Sequence, residues 1–280
     1  MHPGAMSLAT RERTAPTIPV VGVVGAATAL YVVVRIALGT NTGQTWDHEA
    51  MSTVYAGREA KLAVLSVLGR VSIGLVLAVT IGCVAAALMR GRVDLAIAAV
   101  VVVGGANAST QLLKHTWLDR PDFGFGTNNS LPSGHTTLVA SAVAAAILVA
   151  PAALRGLLAL GGGAAVTMTG TSTIVAAWHR PADVAAAMLV CLVWVGLVSI
   201  GISGRSRASL GEGLAAAVGS GVALAALIGV GVRPLAGWDG FFEAGLVLGA
   251  VGAATVLFIA AVCVIAPRTS HWPQVSHASV

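Results

Sequence analysis

No charged residue interrupts positions 17–34, 71–89, 95–113, 156–178, 184–203, 213–232 or 244–266. Uncharged apolar runs of that length match the hydrocarbon core of a bilayer, which a helix crosses in about 20 residues. A charge at the bilayer centre costs roughly 2.5–3.5 kcal/mol on insertion scales, so the sparse charges mark where each crossing ends. With 56% hydrophobic residues, 10% charged residues and a mean hydropathy of +0.88, the chain is too apolar for a soluble domain. These features predict an all-α, polytopic transmembrane helical bundle of about eight spans.

Residues 1–16 are polar and carry Arg11 and Arg13 ahead of the first run, which predicts a cytoplasmic tail and an uncleaved first span. Positions 39–61 hold Asp47, His48, Glu49, Arg58, Glu59 and Lys61 and read as the first loop. Positions 62–69 fit either the start of a tilted span or an interfacial helix with Arg70 snorkelling. The second span is expected at 71–89, and after the turn Arg90-Gly91-Arg92 the third runs from 95 to 113. Asn107, Ser109, Thr110 and Gln111 near its end are either interhelical hydrogen-bonding groups or the lining of a wet cavity. After the turn-rich loop 119–130 come a fourth span at about 135–154, closed by Arg155, and four more at 156–178, 184–203, 213–232 and 244–266. The polar tail from 267 is expected to be disordered. Gly161-Gly162-Gly163 and the pair Gly245 and Gly249 read as helix-packing sites. Cys83, Cys191 and Cys263 lie in apolar runs and read as small buried hydrophobes.

The net charge of +5 and a pI near 9.7 do not point to nucleic acid, because the basic residues form no continuous run. Taken on alternating sides, Arg11, Arg13, Arg90, Arg92, Arg155, Arg205, Arg207 and Arg268 fall together. Arg58, Lys61, Lys114, Arg120, Arg180 and Arg233 fall opposite. Three of those six belong to polar clusters; setting them aside leaves an excess on the first side, which orients it to the cytoplasm. The clusters then face outward. They are Lys114 to Pro121, Leu131 to His135, and Ser172-Thr173 followed by Trp178 to Asp183.

Ser133 stands where an N-cap belongs, so the amides of Gly134 and His135 would point from a helix start toward an anion. Gly134 has no side chain to keep a phosphate away. Pro181 suits the first turn of the next helix. Asp183, four residues beyond His179, can reach the imidazole and leave its other nitrogen free as nucleophile or base. Lys114 and Arg120 add positive charge, the arginine in a form suited to bidentate phosphate contact. Each motif alone reads as a capped turn or an interfacial anchor. Their coincidence on one side predicts a phosphate site.

With these residues the chain resembles the type 2 phosphatidic acid phosphatase family, membrane relatives of bacterial acid phosphatases and vanadium haloperoxidases. Its pattern is Lys-x6-Arg-Pro, Pro-Ser-Gly-His and Ser-Arg-x5-His-x3-Asp on a helical bundle. Pro132–His135 match fully, and Ser172, His179 and Asp183 keep the spacing. Lys114 and Arg120 are one residue closer than the pattern, and Thr173 replaces its arginine. A threonine hydroxyl supplies no charge, which leaves either a weaker phosphate site or Arg180 in the missing role. The likeness covers roughly 71–203 and implies a six-helix phosphatase core.

The resemblance implies that His179 attacks phosphorus, Asp183 orients it, and His135 protonates the leaving group and then activates water. It further implies phosphoryl contacts from Lys114, Arg120, Ser133 and Gly134, to which Ser172, Thr173 and Arg180 are added as candidates. No metal or other cofactor is expected. The division predicted is a tail at 1–16, a phosphatase core at 17–208, two added helices at 209–266 and a cytoplasmic tail at 267–280. The expected function is outward-facing hydrolysis, at the cytoplasmic membrane, of a lipid phosphomonoester or pyrophosphate of polyprenyl diphosphate, phosphatidic acid or phosphatidylglycerophosphate type. The expected partners are that substrate and membrane lipids, with no nucleic acid. The other class open to the sequence is a non-catalytic or transport protein with a lipid-phosphate pocket.

Overall fold

The computed structural model describes residues 17–202 and 210–268. The tails and residues 203–209, with Arg11, Arg13, Arg205 and Arg207, lie outside the described residues. The order is α1 (Thr17–Ala37), α2 (Asn41–Ser52), β1 (Val54–Ala56), α3 (Arg58–Arg70), α4 (Ile73–Met89), α5 (Val93–Leu112) with a π turn (Leu113–Trp117), α6 (Gly134–Val149), α7 (Ala152–Val175), α8 (Pro181–Ile200), α9 (Leu210–Gly229), β2 (Val232–Pro234) and α10 (Phe241–Ile265). It is an all-α helical bundle, in which α1, α5 with its π turn, α7, α8, α9 and α10 are long and apolar enough to cross a membrane.

The pair α3 and α4, bent by 45°, makes a seventh candidate, and α6 is a shorter apolar helix of 16 residues. The bend falls at Ser72, whose hydroxyl caps α4 by accepting from the Leu75 amide. Helix α3 buries Ala60, Val64 and Leu68 along one stripe, a spacing of four that leaves its other faces exposed. The bundle is turned out for lipid. Ile81, Leu157 and Leu257 are exposed, whereas Thr110, Thr137, Ser141, Thr167 and Thr255 are buried. A helix in hydrocarbon gains nothing by hiding leucine but must pair its polar groups inside.

Three expectations are corrected. The stretch 39–61 is not an open loop: Thr40 caps α2 by accepting from the Gly43 amide, and β1 pairs antiparallel with β2 from far along the chain. The boundary near 155 moves, because Pro151 cannot continue α6 and α7 begins at Ala152. Arg155 therefore sits in the first turn of α7, fully buried, donating to the carbonyls of Ala266 and Pro267 just past α10. Gly245 and Gly249 meet no neighbouring atom; they line a groove of about 680 Å³ with Leu224, Ile228 and Leu248.

The close helix approach lies elsewhere. A Cβ on Gly219 of α9 would collide with the Leu160 carbonyl oxygen, and one on Gly163 of α7 with the Ala216 carbonyl oxygen. Thr167 and Ser220 share a 3.0 Å hydrogen bond along the same seam. Gly219→Val is expected to destabilise the protein by about 2 kcal/mol or more, as overpacking against backbone does. Gly161→Val, at a position with open space around it, should leave thermal stability in detergent unchanged. Equal melting temperatures for the two variants would refute the account.

The two ends of the bundle differ. At one end Arg155 holds the close of α10, and Arg268 pairs with Glu212 at 2.9 Å. At the other, Trp46, Trp117, Trp178 and Trp238 are all exposed on or beside the connections between helices. Tryptophan concentrates at the membrane–water boundary, where an apolar ring with one N–H fits the headgroup layer. All three polar clusters lie at this end.

Candidate active site

Three connections build the site. Helix α5 closes as a π turn in which the Leu118 amide donates to the Leu113 carbonyl at 2.9 Å, a wider turn than an α-helix makes. Lys114 lies in that turn, half-buried, within electrostatic reach of Asp183 and His135. Arg120 follows in the loop, with its Nη2 4.0 Å from Asp183 Oδ1. The spacing one residue shorter than the family pattern still brings both cations to Asp183.

Ser133 caps α6: its Oγ accepts from the Thr136 amide and from the Thr136 hydroxyl. The Ser133 amide donates to the Asp183 carbonyl at 2.9 Å, tying the second cluster directly to the third. A Cβ at Gly134 would meet nothing nearer than Gln111 Nε2 at 3.8 Å, so that helix start is open. The His135 ring lies 5.6 Å from the Trp178 ring and within electrostatic reach of His179.

Helix α7 ends in a reversal that aims His179. The amides of Trp178 and Ala177 donate to the carbonyls of Thr173 and Ile174, and Ala177 takes a φ of 58°. This is the Schellman arrangement, with alanine at a position that usually holds glycine because a left-handed residue with a Cβ costs roughly 1–2 kcal/mol. His179 and Arg180 emerge from it, and Pro181 starts α8. His179 Nδ1 lies 3.1 Å from Asp183 Oδ2, and with the carboxylate as acceptor the neutral imidazole would carry its hydrogen on Nδ1 and leave Nε2 open. The same Oδ2 accepts from Ser130 Oγ at 2.6 Å and from the Arg180 amide at 3.0 Å. Asp183 is fully buried, so these donors stabilise a carboxylate removed from water.

The cations lack comparable partners. Arg120 is 3% exposed, and none of its guanidinium nitrogens makes a hydrogen bond. Burial pulls its guanidinium below the ordinary arginine range, and nearby Arg180 adds to this while Asp183 and Asp47 oppose it; the group remains a cation at neutral pH. Arg180 is also buried, with Nε unpaired, and the Ser172 hydroxyl is buried without a partner. Two like charges held this way are costly unless an anion joins them.

His135, His179, Asp183, Lys114, Arg120 and Arg180 thus meet at one end of the bundle, with the Ser133–Gly134 turn beside them. Thr173 departs from the expectation, since its fully buried hydroxyl donates to the Gly170 carbonyl at 2.7 Å. It is occupied by backbone. The polar end of α5 divides: Asn107 donates to Ser141, Thr110 pairs with Thr137, and Ser109 accepts from Trp194, while Gln111 remains exposed near Gly134. Ser130 and Asp47 escaped sequence reasoning; one lies in a turn-rich loop and the other on a segment read as a loop, with no motif around either.

Among the described residues no group of three or more His, Cys, Asp or Glu side chains could hold a metal ion. Comparison with curated proteins and with solved structures found no match to the chain. Residues 95–207, from the second residue past the start of α5 to beyond α8, match the family described as the PAP2 superfamily. That stretch contains all three clusters. The match over residues 95–207, in a multi-pass helical membrane protein, is consistent with membership of that superfamily and supports, in general terms, a phosphatase-type hydrolase of lipid phosphates.

Proposed function

We propose that the protein removes phosphate from a membrane lipid through a phosphohistidine on His179, without a metal ion. The substrate is a phosphomonoester or pyrophosphate of the polyprenyl diphosphate, phosphatidic acid or phosphatidylglycerophosphate type. The observation that carries this reading is the buried guanidinium of Arg120, none of whose nitrogens has a hydrogen-bond acceptor, with the buried Arg180 and its unpaired Nε, beside a histidine whose Nδ1 is held by a buried carboxylate. A phosphoryl group between them would satisfy the arginines and present phosphorus to His179 Nε2. The aromatic belt at the same end supports a site at headgroup depth.

In the first step Nε2 forms a bond to phosphorus as the bond to the lipid oxygen breaks, and His135 gives that oxygen a proton. In the second, His135 takes a proton from water as the water oxygen attacks phosphorus. The P–N bond breaks, its electron pair returns to Nε2, and inorganic phosphate leaves. Lys114, Arg120, Arg180, the Ser172 hydroxyl and the Gly134 and His135 amides hold the phosphoryl oxygens, where charge builds in both steps. The roles assigned to His179, His135 and Asp183 follow the family pattern.

The reading includes a site facing out of the cytoplasmic membrane, because Arg90, Arg92, Arg155 and Arg268 gather at the opposite end. It is tested by assaying purified protein on a panel of lipid phosphates. Phosphate release should persist in EDTA and fall with vanadate, which occupies a phosphoryl site. Activity lost in EDTA and restored by Mg²⁺ would reject the metal-free chemistry. Saturable lipid-phosphate binding without turnover on any substrate would favour the non-catalytic reading.

A further inference from the structure

Helix α2 lies outside the family-matching stretch, yet it grips the site at three points. Its entry is tight: a Cβ on Gly43 would strike the Ile36 carbonyl oxygen, so only glycine allows α2 to fold back so closely on α1. Gln44, fully buried, donates from Nε2 to the Leu38 carbonyl at 3.1 Å and to the Pro121 carbonyl at 2.9 Å. The second of these fixes the backbone immediately after Arg120. The His48 ring packs 4.7 Å from that of Phe125 in the same loop. Asp47 Oδ1 accepts from the Ala182 amide at 2.9 Å, in the first turn of α8 between Arg180 and Asp183.

Asp47 stands out among these contacts. It is 8% exposed, and its Oδ2 has no hydrogen-bond partner. The charged groups in electrostatic reach are Arg120 from the loop after α5 and Arg180 and Asp183 from the start of α8. From α1 and α10 only apolar side chains, among them Val33, Ile36, Val251 and Ala254, line the groove beneath it. Asp47 is therefore a second buried acid within electrostatic reach of Arg120, which has no hydrogen-bond acceptor, and of Arg180, whose Nε has none.

We propose that Asp47 is a positioning residue for the phosphate site: it holds the first turn of α8, and with it His179 and Asp183, and its ionised form competes with the phosphoryl group for Arg120 and Arg180. The inference rests on the phosphate-site reading and adds a residue that no motif contains. Burial pushes the Asp47 carboxyl up to about 7, with Asp183 adding to the rise and the Ala182 amide, Arg180 and Arg120 opposing it. Below that pH the group is neutral, and the arginines are left to the anion. Above it the carboxylate repels a phosphoryl dianion and shares its cations, so anion affinity falls as pH rises. By reciprocity, a bound anion raises the Asp47 pKa further.

The test uses sulfate, a dianion whose own charge is constant across neutrality, so binding is read whether or not the protein turns over a lipid. Between about pH 6 and 8 the sulfate Kd of the wild type should rise about fivefold more than that of Asp47→Asn, which is what a one-unit coupling to a group titrating near pH 7 gives over that range. Ionisable groups other than Asp47 are common to both proteins and cancel in the comparison. The wild type should also show a protonated-carboxyl infrared band that disappears through about pH 7 and is missing in Asp47→Asn. Equal Kd slopes, or an infrared spectrum unaltered by the substitution, would overturn the competition. For positioning, Asp47→Asn keeps an acceptor for the Ala182 amide and Asp47→Ala does not. At pH 6 Asp47→Ala should bind sulfate at least about tenfold more weakly than Asp47→Asn, and equal binding would overturn that part. If Asp47→Ala does not fold while Asp47→Asn does, the acceptor is needed to hold α8, in accord with the proposal.

Discussion

Replacing His179 by alanine is expected to abolish turnover of lipid phosphates and activated phosphate esters alike, a loss of about 10⁴-fold or more. The proposed first step needs a nitrogen whose partner atom is held by Asp183, and no other side chain in the site has that arrangement. No phosphoenzyme can form, whatever the leaving group. His135→Ala should behave differently. As an acid, His135 matters in proportion to the basicity of the leaving oxygen, and as a base it is needed to hydrolyse the intermediate, help worth about 10² to 10⁴-fold. That variant should be slow on a lipid phosphate, lose less in phosphorylation by p-nitrophenyl phosphate, and accumulate acid-labile phosphohistidine. Labelling with ³²P followed by peptide mapping decides the matter. Label on His135 would reverse the assignment.

The second large effect is expected at Arg120, where activity and stability should move in opposite directions. Its guanidinium is buried with no acceptor, a cost to the empty protein that phosphate repays. Arg120→Met should lower kcat/KM by about 10² to 10³-fold, the loss typical of one group that stabilises developing charge. The melting temperature of the anion-free protein should hold or rise, and the stabilisation given by vanadate should be lost. Arg120→Lys should recover little, since an ammonium cannot make the paired contacts of a planar guanidinium. A kcat/KM within about threefold of wild type, or parallel loss of activity and stability, would contradict the role given to Arg120.

Much of the fold was legible because lipid imposes a simple rule. Runs without charge became helices almost where they were expected, and only Pro151 moved a boundary by more than a few residues. The rule fails where the chain leaves the hydrocarbon. Positions 39–61 carry the charge of a loop, yet α2 and β1 form there, because capping by Thr40 and pairing with β2 satisfy a backbone that polarity alone leaves undecided. Glycine spacing misled for a related reason. Gly245 and Gly249 have the periodicity of a packing face but line a groove, whereas the tight seam runs through Gly163 and Gly219. Spacing shows which residues share a face, but not what that face meets.

For the site, the sequence by itself determined the chemical inventory: two histidines at helix starts, a carboxylate four residues from one of them, a capped Ser-Gly turn and cations at the same end of the spans. Local rules cover these, since a cap, a proline at a first turn and a four-residue spacing act within one helical turn. Tertiary structure alone decided which groups are free to act. Arg120 and Ser172 were left without hydrogen-bond partners, Thr173 was turned to the Gly170 carbonyl, and Ser130 and Asp47 were brought in from a loop and from a helix far along the chain. Whether a buried donor is satisfied depends on every atom around it. That is a property of packing between distant segments, to which no short stretch of sequence corresponds.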